Sequence, residues 1–283
     1  DNTLSTEDMQ DYSFIPSLGL SVPAFWQLAN EFGRRERMDG ILAYMFTMIR
    51  EAHRCGRPLT RHQLTEAGRD IRLFPGVEGW FGRINAFGAS LGVTVEHYII
   101  SSGLKEILEG CSIGAEFKEI FASEFYYGED GEAAWPKLAV NYTSKTQFVY
   151  RINKGVLDVS DDKTLNDSMP DDSKRVPFTN MIYLGDGLSD VPCMKMMQSY
   201  GGARIAVYKE MGQSVKDLLE RGRVDYIYPA DYREGTGLDR TVKNIIRKMA
   251  TADALSEENA RQLQMIRRSE ELSGQITLEQ MDR

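Results

Sequence analysis

The sequence predicts an α/β protein with a mainly parallel sheet covered by helices and a smaller helical unit near the start of the chain. Two observations support this class. From residue 77 onward, short apolar and β-branched segments alternate with helical segments, and repeated βα units of this kind form parallel sheets. Residues 20–72 instead carry apolar residues at spacings of three and four, the pattern of amphipathic helices. The length of 283 residues accommodates a core domain with a smaller companion.

The helical unit shows two apolar stripes. The first consists of Val22, Phe25, Trp26, Ala29 and Phe32, and the second of Ile41, Met45, Met48, Ile49 and Ala52. Arg57-Pro58 interrupts the pattern, and Thr60 or Thr65 is placed to cap a third, short helix. This segment therefore predicts a small helical bundle.

After Phe74-Pro75-Gly76 the pattern changes to that of a βα unit. A helix over 77–91 leads into an apolar strand over 93–100, which ends in Ser101-Ser102-Gly103. The next helix is expected to begin near Leu104.

The middle of the chain predicts a hairpin, a helix and a loop. Residues 120–127 and 137–142 are the expected arms of the hairpin, joined by a turn at 128–131. A helix over 146–153 follows, and residues 158–175 are acidic and poor in large apolar residues, which predicts an exposed loop.

The remaining strands are short and apolar. They are expected over 181–184, 203–207 and 225–228, the first of them ending in Gly185-Asp186-Gly187. The stretch 237–281 has mixed charge and predicts a helix.

Composition excludes several classes of function. A net charge of −8 argues against a nucleic-acid partner. No apolar run approaches the roughly 20 residues of a membrane-spanning helix, and the first residues lack the pattern of a signal peptide. Cys55, Cys111 and Cys193 are scattered, without the spacing of a disulfide framework or a zinc site, so a cytoplasmic location is expected.

Polar residues at the expected strand ends are the candidates for chemistry, because ligands bind beyond the carboxyl ends of parallel strands. Asp186 and Asp190 lie four residues apart across a glycine-containing turn. Carboxylates in this arrangement suit Mg²⁺, although Asp residues also cap turns and helices for purely structural reasons.

Three further positions have both a functional and a structural interpretation. Ser101 and the backbone N–H groups after it could hold phosphate oxygens, or Ser101 could be a plain helix cap. Lys145 begins a predicted helix, where a cation is unfavourable unless an anion compensates it. Asp1-Asn2-Thr3 has the composition of a turn at a strand end, and alone it indicates nothing more.

Taken together, the clusters resemble the motifs of the haloacid-dehalogenase-like superfamily, especially its phosphoserine-phosphatase-like branch. Asp1-Asn2-Thr3 looks like the second half of Asp-x-Asp-x-Thr, and residues 98–101 look like the strand that ends in Ser. Lys145 matches the Lys that opens a helix, and residues 185–190 match Gly-Asp-Gly-x-x-Asp. The resemblance implies a Rossmann-like three-layer α/β/α core with a small helical cap domain inserted after the first motif. The core would comprise residues 1–14 and 75–283, and the cap residues 15–74.

The resemblance also implies a magnesium-dependent phosphatase that acts on a small phosphorylated metabolite through an aspartyl-phosphate. Asp1, Asp186 and Asp190 would hold Mg²⁺, and Asp1 would also be the general acid and base. The substrate would be bound by Thr3, Ser101, Ser102, Gly103 and Lys145, with Ser101 and Lys145 also counted as catalytic. The nucleophilic Asp of the motif falls two residues before Asp1, so we expect the natural chain to continue upstream with a central apolar strand.

Two other functions fit the same residues. A phosphotransferase would use the same intermediate with a different acceptor, and a non-catalytic binding protein would keep the scaffold without the nucleophile. A nucleotide-binding protein of another family is not supported, because the chain has no GxGxxG or Walker-type loop. Arg34, Arg35, Arg37, Arg50 and Arg54 could meet a second anionic group on the substrate, but they are rather expected to form a solvated face of the cap. Neither the substrate nor the oligomeric state follows from the sequence.

Overall fold

The computed structural model of the protein describes residues 2–170 and 173–281, with side chains as far as Arg268. Its helices are α1 (Phe14–Ser17), α2 (Val22–Glu36), α3 (Gly40–Arg54), α4 (Arg61–Ala67), α5 (Val77–Ser90), α6 (Lys105–Gly110), α7 (Lys145–Lys154), α8 (Asp162–Asn166), α9 (Val191–Tyr200), α10 (Gln213–Glu220) and α11 (Gly237–Met281). Its strands are β1 (Tyr98–Leu104), β2 (Glu119–Tyr127), β3 (Ala133–Leu138), β4 (Ile182–Gly185), β5 (Ala203–Tyr208) and β6 (Tyr226–Pro229).

The described strands form two three-stranded sheets. In the first, β1 runs parallel to β2, and β2 pairs antiparallel with β3. In the second, β4, β5 and β6 run parallel in that order, with Leu184 opposite Ile205. Helices connect the parallel strands, as such crossovers require. The predicted class, an α/β protein with a mainly parallel sheet, is confirmed.

A large slot separates the two sheets. Within the described residues β1 is paired only with β2, and β4 only with β5. The facing strands contribute Ile99 and Ile100 on one side and Ile182 and Leu184 on the other to a cavity of about 1250 Å³. All four side chains are only half-buried, although they lie on parallel strands, which are normally covered on both faces. The slot therefore exposes apolar surface that would fit the interior of a continuous sheet.

The predicted bundle at residues 20–72 is confirmed as α2, α3 and α4, and polar caps define where each helix begins. Ser21 Oγ accepts from the N–H of Ala24, and Asp39 Oδ1 accepts from the N–H groups of Ile41 and Leu42. Thr60 caps α4 in a reciprocal capping box with Gln63. α2 packs on α3, and α4 packs on α6.

Two main apolar clusters hold the molecule together. The first joins the bundle to the first sheet, for example Phe25 and Met45 with Ile107 and Phe125. The second joins α5 and α11 to β5. Because the first cluster contains residues from both predicted units, the division into a core and a cap at residues 15–74 stays a prediction.

Three segments differ from the sequence-based expectations. The strand predicted over 93–100 begins only at Tyr98 and continues to Leu104, because its partner β2 begins at Glu119, which lies opposite Tyr98. Val93 and Val95 pack against the second cluster instead of pairing with a strand. The predicted loop 158–175 contains the short helix α8, which Asp161 caps through the N–H of Thr164. The second arm of the hairpin, predicted over 137–142, is instead β3 (Ala133–Leu138), because Ala133 lies opposite Tyr127 and Leu138 opposite Glu124. The other predicted strands and helices are present, with boundaries shifted by a few residues.

Across the part of the chain that the structure describes, we find no helix with both the length and the apolar character that a bilayer span requires.

Candidate active site

The loop after β4 holds two carboxylates close together. The strand ends at Gly185, and Asp190 lies in a 3-10 turn directly before α9. A Cβ atom at Gly185 would come within 2.4 Å of Asp190 Oδ2, so only glycine permits this approach. The N–H of Asp186 donates to the same oxygen at 3.2 Å. The turn thus folds Asp190 back toward Asp186.

Lys145 is the cationic partner of Asp190. Its Nζ lies 2.8 Å from Asp190 Oδ1, and both side chains are buried, at 8% and 5% exposed. The hydroxyl of Tyr183 donates to the same Oδ1 at 2.8 Å, and burial together with the charge of Asp190 raises the pKa of Tyr183 well above its usual value. A cation at a helix N-terminus requires a compensating anion, and Asp190 is that anion.

Asp186 has a neutral partner. The hydroxyl of Thr3 donates to Asp186 Oδ1 at 3.0 Å. Burial raises the pKa of Asp186, and the nearby charge of Asp190 raises it further. Two carboxylates beside one ammonium group leave an excess of negative charge, which a divalent cation would neutralise.

The end of β1 contributes hydroxyl and amide groups. Ser101 is buried, and its Oγ accepts from the N–H of Gly103 at 3.0 Å, which leaves its hydroxyl proton free to donate. Ser102 Oγ is buried and has no hydrogen-bond partner in the described part of the protein. An unsatisfied buried hydroxyl in a cavity wall indicates a place for a polar ligand atom.

The structure brings most of the predicted site residues into one cavity. Its lining includes Thr3, Ser101, Ser102, Gly103, Lys145, Asp186 and Asp190. Asp1 lies outside the described residues, so its placement stays a prediction. Among residues 2–170 and 173–281, no group of three His, Cys, Asp or Glu side chains is placed to hold a metal. The pair Asp186 and Asp190 is compatible with Mg²⁺, which needs only one or two protein carboxylates besides phosphate and water.

Three hydrogen bonds near the cavity involve residues that sequence reasoning missed. Asn2 Nδ2 donates to Asp8 Oδ1 at 2.9 Å. Asn141 Nδ2 donates to Asp39 Oδ2 at 3.0 Å, and the hydroxyl of Tyr44 donates to the carbonyl of Ser102 at 2.7 Å. Asp39 carried one sequence signal, its position before an apolar helix, but no pattern in the sequence pointed to a partner 102 residues away.

The lining of the cavity includes none of the five arginines of the predicted cap. Arg50 and Arg54 pair with Glu51, and Arg35 pairs with the neighbouring Glu36. These contacts agree with the solvated face expected from the sequence.

Comparisons with known proteins place this geometry in context. No protein-family model matches the sequence. An uncharacterized protein of Borreliella burgdorferi is 26% identical over 267 residues, which cover 84% of this chain and 91% of that protein. A solved HAD family hydrolase from Salmonella enterica serovar Typhi has a TM-score of 0.54 at 17% identity, covering 87% of this chain and 68% of that chain. A substrate-bound phosphoserine phosphatase has a TM-score of 0.51 at 15% identity, covering 83% and 92%.

These structural neighbours match the resemblance drawn from the four motifs. The order of the described helices and parallel strands agrees with the α/β fold that this resemblance implies. The chain therefore has the Rossmann-like fold of the haloacid-dehalogenase-like hydrolases, a fold that the phosphoserine phosphatase shares.

Proposed function

We propose that this protein is a magnesium-dependent phosphatase that hydrolyses a small phosphorylated metabolite through an aspartyl-phosphate intermediate. The observation that carries the proposal is the convergence of Thr3, Ser101, Lys145, Asp186 and Asp190 on one cavity of a hydrolase fold. These residues come from four separate segments of the chain, and a purely structural role for each would not require them to meet.

Asp186 and Asp190 would hold Mg²⁺ together with the main-chain carbonyl of Asp1. When bound, the ion would neutralise the charge of the phosphate ester, so that a carboxylate can approach it. Lys145 and the hydroxyl of Ser101 would hold the phosphoryl oxygens, with the N–H groups of Ser102 and Gly103 nearby. Because Asp190 already binds Lys145, it also positions that ammonium group.

Hydrolysis would proceed in two displacements. The Asp two residues before Asp1 attacks phosphorus, the bond from phosphorus to the alcohol oxygen breaks, and Asp1 donates a proton to that oxygen. Asp1 then takes a proton from a water molecule, whose oxygen attacks the aspartyl-phosphate. Phosphate leaves and the nucleophilic carboxylate is restored.

The slot between β1 and β4 supports the position of the nucleophile. A strand directly before Asp1 could enter the apolar slot and pair with the edges of β1 and β4, which have no partner on that side among the described residues. Its last residues would then reach the carboxyl ends of β1 and β4, where Ser101 and Asp186 lie. An apolar segment before Asp1 would cover the half-buried apolar side chains of β1 and β4.

The test is hydrolysis of a panel of phosphate monoesters by the full-length protein with Mg²⁺ or with EDTA. We expect phosphate release with Mg²⁺ and none with EDTA. For Asp186→Asn we expect kcat to fall by about a hundredfold or more. Asp217→Asn in α10, which makes the same change outside the cavity, is the matched control. Absence of hydrolysis with any divalent metal, or equal activity of the two variants, would refute the proposal.

A further inference from the structure

The carboxylate of Asp190 has more hydrogen-bond donors than its ion pair with Lys145 requires. Lys145 Nζ contacts Oδ1 at 2.8 Å, and the hydroxyl of Tyr183 donates to the same oxygen at 2.8 Å. The N–H of Asp186 donates to the other oxygen, Oδ2, at 3.2 Å. The carboxylate therefore has three donors, two of them on Oδ1.

Tyr183 is the donor that lies outside the four sequence motifs. It belongs to β4, two residues before Gly185, and it lines the cavity. The buried thiol of Cys193 in α9 hydrogen-bonds to the same hydroxyl. Because the hydroxyl proton is used for Asp190, the thiol is the donor to the phenol oxygen. The hydroxyl is therefore fixed between two residues that both follow β4.

Packing fixes the orientation of the Asp190 carboxylate. A Cβ atom at Gly185 would come within 2.4 Å of Asp190 Oδ2 and 2.6 Å of its Cγ, so the carboxylate lies against the backbone at the end of β4. The side chain is 5% exposed. Rotation of this buried group would break hydrogen bonds that solvent cannot replace. Asp190 thus presents its two oxygens to the cavity in one orientation.

The free lone pairs of Asp190 decide how it can bind a cation. Each carboxylate oxygen offers about two lone-pair positions. On Oδ1 both are occupied, by Lys145 and Tyr183, whereas Oδ2 has one hydrogen bond, from the N–H of Asp186. Asp190 can therefore contact a metal ion through Oδ2 alone.

A carboxylate that offers one oxygen suits Mg²⁺ better than Ca²⁺. Mg²⁺ requires near-octahedral geometry with oxygens at roughly 2.0–2.1 Å, which one oxygen from each carboxylate satisfies. Ca²⁺ takes roughly six to eight oxygens at about 2.3–2.6 Å and often uses both oxygens of one carboxylate. To use Oδ1 of Asp190 as well, Ca²⁺ would have to displace the hydroxyl of Tyr183 or the ammonium group of Lys145.

We propose that Tyr183 determines the metal selectivity of the site, because it occupies Asp190 Oδ1 and so disfavours Ca²⁺ relative to Mg²⁺. This inference rests on the proposed function, which requires a divalent cation at Asp186 and Asp190. Tyr183 acts through Asp190 and is a positioning residue. Loss of its hydroxyl frees one lone pair of Oδ1 and leaves the ion pair with Lys145 in place.

Tyr183→Phe removes the hydroxyl and keeps the ring. Isothermal titration of the full-length protein with Mg²⁺ and, separately, with Ca²⁺ gives a Kd for each ion without substrate or turnover. We expect the variant to shift the ratio of the two Kd values in favour of Ca²⁺ by about tenfold, the scale of one hydrogen bond to a charged group. In hydrolysis of p-nitrophenyl phosphate at fixed Mg²⁺, the Ca²⁺ concentration that halves the rate should fall by a similar factor.

Tyr150→Phe is the matched control. It makes the same change outside the cavity lining, where the hydroxyl of Tyr150 contacts that of Tyr200 at 2.9 Å, and the ratio of Kd values should not change. Tyr183→Met is a second variant without the hydroxyl, and its flexible side chain can fill the space of the ring if the Phe variant folds poorly. A ratio of two Kd values within one variant is insensitive to partial loss of folded protein.

The outcomes separate the selectivity role from the function on which it rests. Magnesium-dependent hydrolysis with a Kd ratio that neither Tyr183 variant alters would overturn the selectivity role and leave the phosphatase function standing. An equal shift in the Tyr150 variant would do the same. Hydrolysis that needs no divalent cation, or no hydrolysis and no binding of either ion, would overturn both.

Discussion

The buried pair of Lys145 and Asp190 combines a structural and a chemical requirement in two residues. Neither charge is solvated, so each depends on the other, and Asp190 also receives the hydroxyl of Tyr183. Removing one partner leaves the other as an uncompensated buried charge. The same ammonium group is the one proposed to hold phosphate, so its loss affects stability and activity together.

Lys145→Met should lower the free energy of unfolding by about 3–5 kcal/mol, because Asp190 then remains buried without its cation. Lys137→Met is the control, since Lys137 is 52% exposed and its partner Glu124 keeps a second ion pair with Arg61, and a change below about 1 kcal/mol is expected there. Urea denaturation of both variants measures the difference. Equal losses would contradict the assignment.

Glu96 gives the protein a defined acid sensitivity. Hydrogen bonding from Arg175, assisted by Lys118 and Tyr98 and opposed by burial, lowers the pKa of Glu96 from about 4.5 to about 2. A lowered pKa contributes stability above pH 4.5 that is lost as the pH falls from 4.5 toward 2. Glu96→Gln should therefore flatten the decrease in Tm over this interval.

Melting curves from pH 6 to pH 2 provide the measurement, and Glu116→Gln, at an exposed position, is the comparison. If the Tm of the Glu96 variant decreases as steeply as that of the wild type when the pH is lowered, the ion pair with Arg175 does not contribute to stability in acid.

At the scale of elements, the acidic segment 158–175 shows how a buried residue can order a polar loop. Arg151 in α7 is 1% exposed and donates to the carbonyls of Asp158, Val159 and Asp161. It also pairs with the carboxylate of Asp162 at 2.7 Å. A single guanidinium group therefore fixes the segment that includes the start of α8.

Arg151→Met should release this segment and lower the free energy of unfolding by about 3 kcal/mol, because three partly buried carbonyls and the carboxylate of Asp162 lose their donor. Limited proteolysis should then cut within residues 158–166 first. Lys163→Met, an exposed change in α8, should leave the cleavage pattern unchanged. Cleavage at the same rate in both variants would argue against the anchoring role.

The elements also show what the sequence can and cannot predict. Apolar periodicity located the helices and strands, and the four motifs located the residues around the cavity, because both signals are local. The start of β1 was misplaced because strand pairing with Glu119 decides it. The contacts of Asp39 with Asn141 and of Asp8 with Asn2 depend on how distant loops meet, so no spacing in the sequence indicates them.

At the scale of the whole molecule, the slot between the sheets dominates the energetics. The apolar side chains of β1 and β4 remain half-buried there, and covering apolar surface contributes about 25 cal/mol per Å². We therefore expect a chain that carries the proposed upstream strand to have a higher Tm and to bind less of the dye ANS than residues 1–283 alone. Equal Tm values and equal dye binding would show that no upstream strand enters the slot.

The hydrogen bonds from Asn141 to Asp39 and from Tyr44 to Ser102 have a consequence for turnover. They join the start of the bundle helix α3 to segments that are proposed to contact the phosphate, so escape of the product and separation of the bundle would break the same bonds. Tyr44→Phe removes one of them without changing charge. If departure of the alcohol or phosphate limits the rate, the kcat of this variant will exceed that of the wild type. A lower kcat will show that the chemical step in the cavity is limiting.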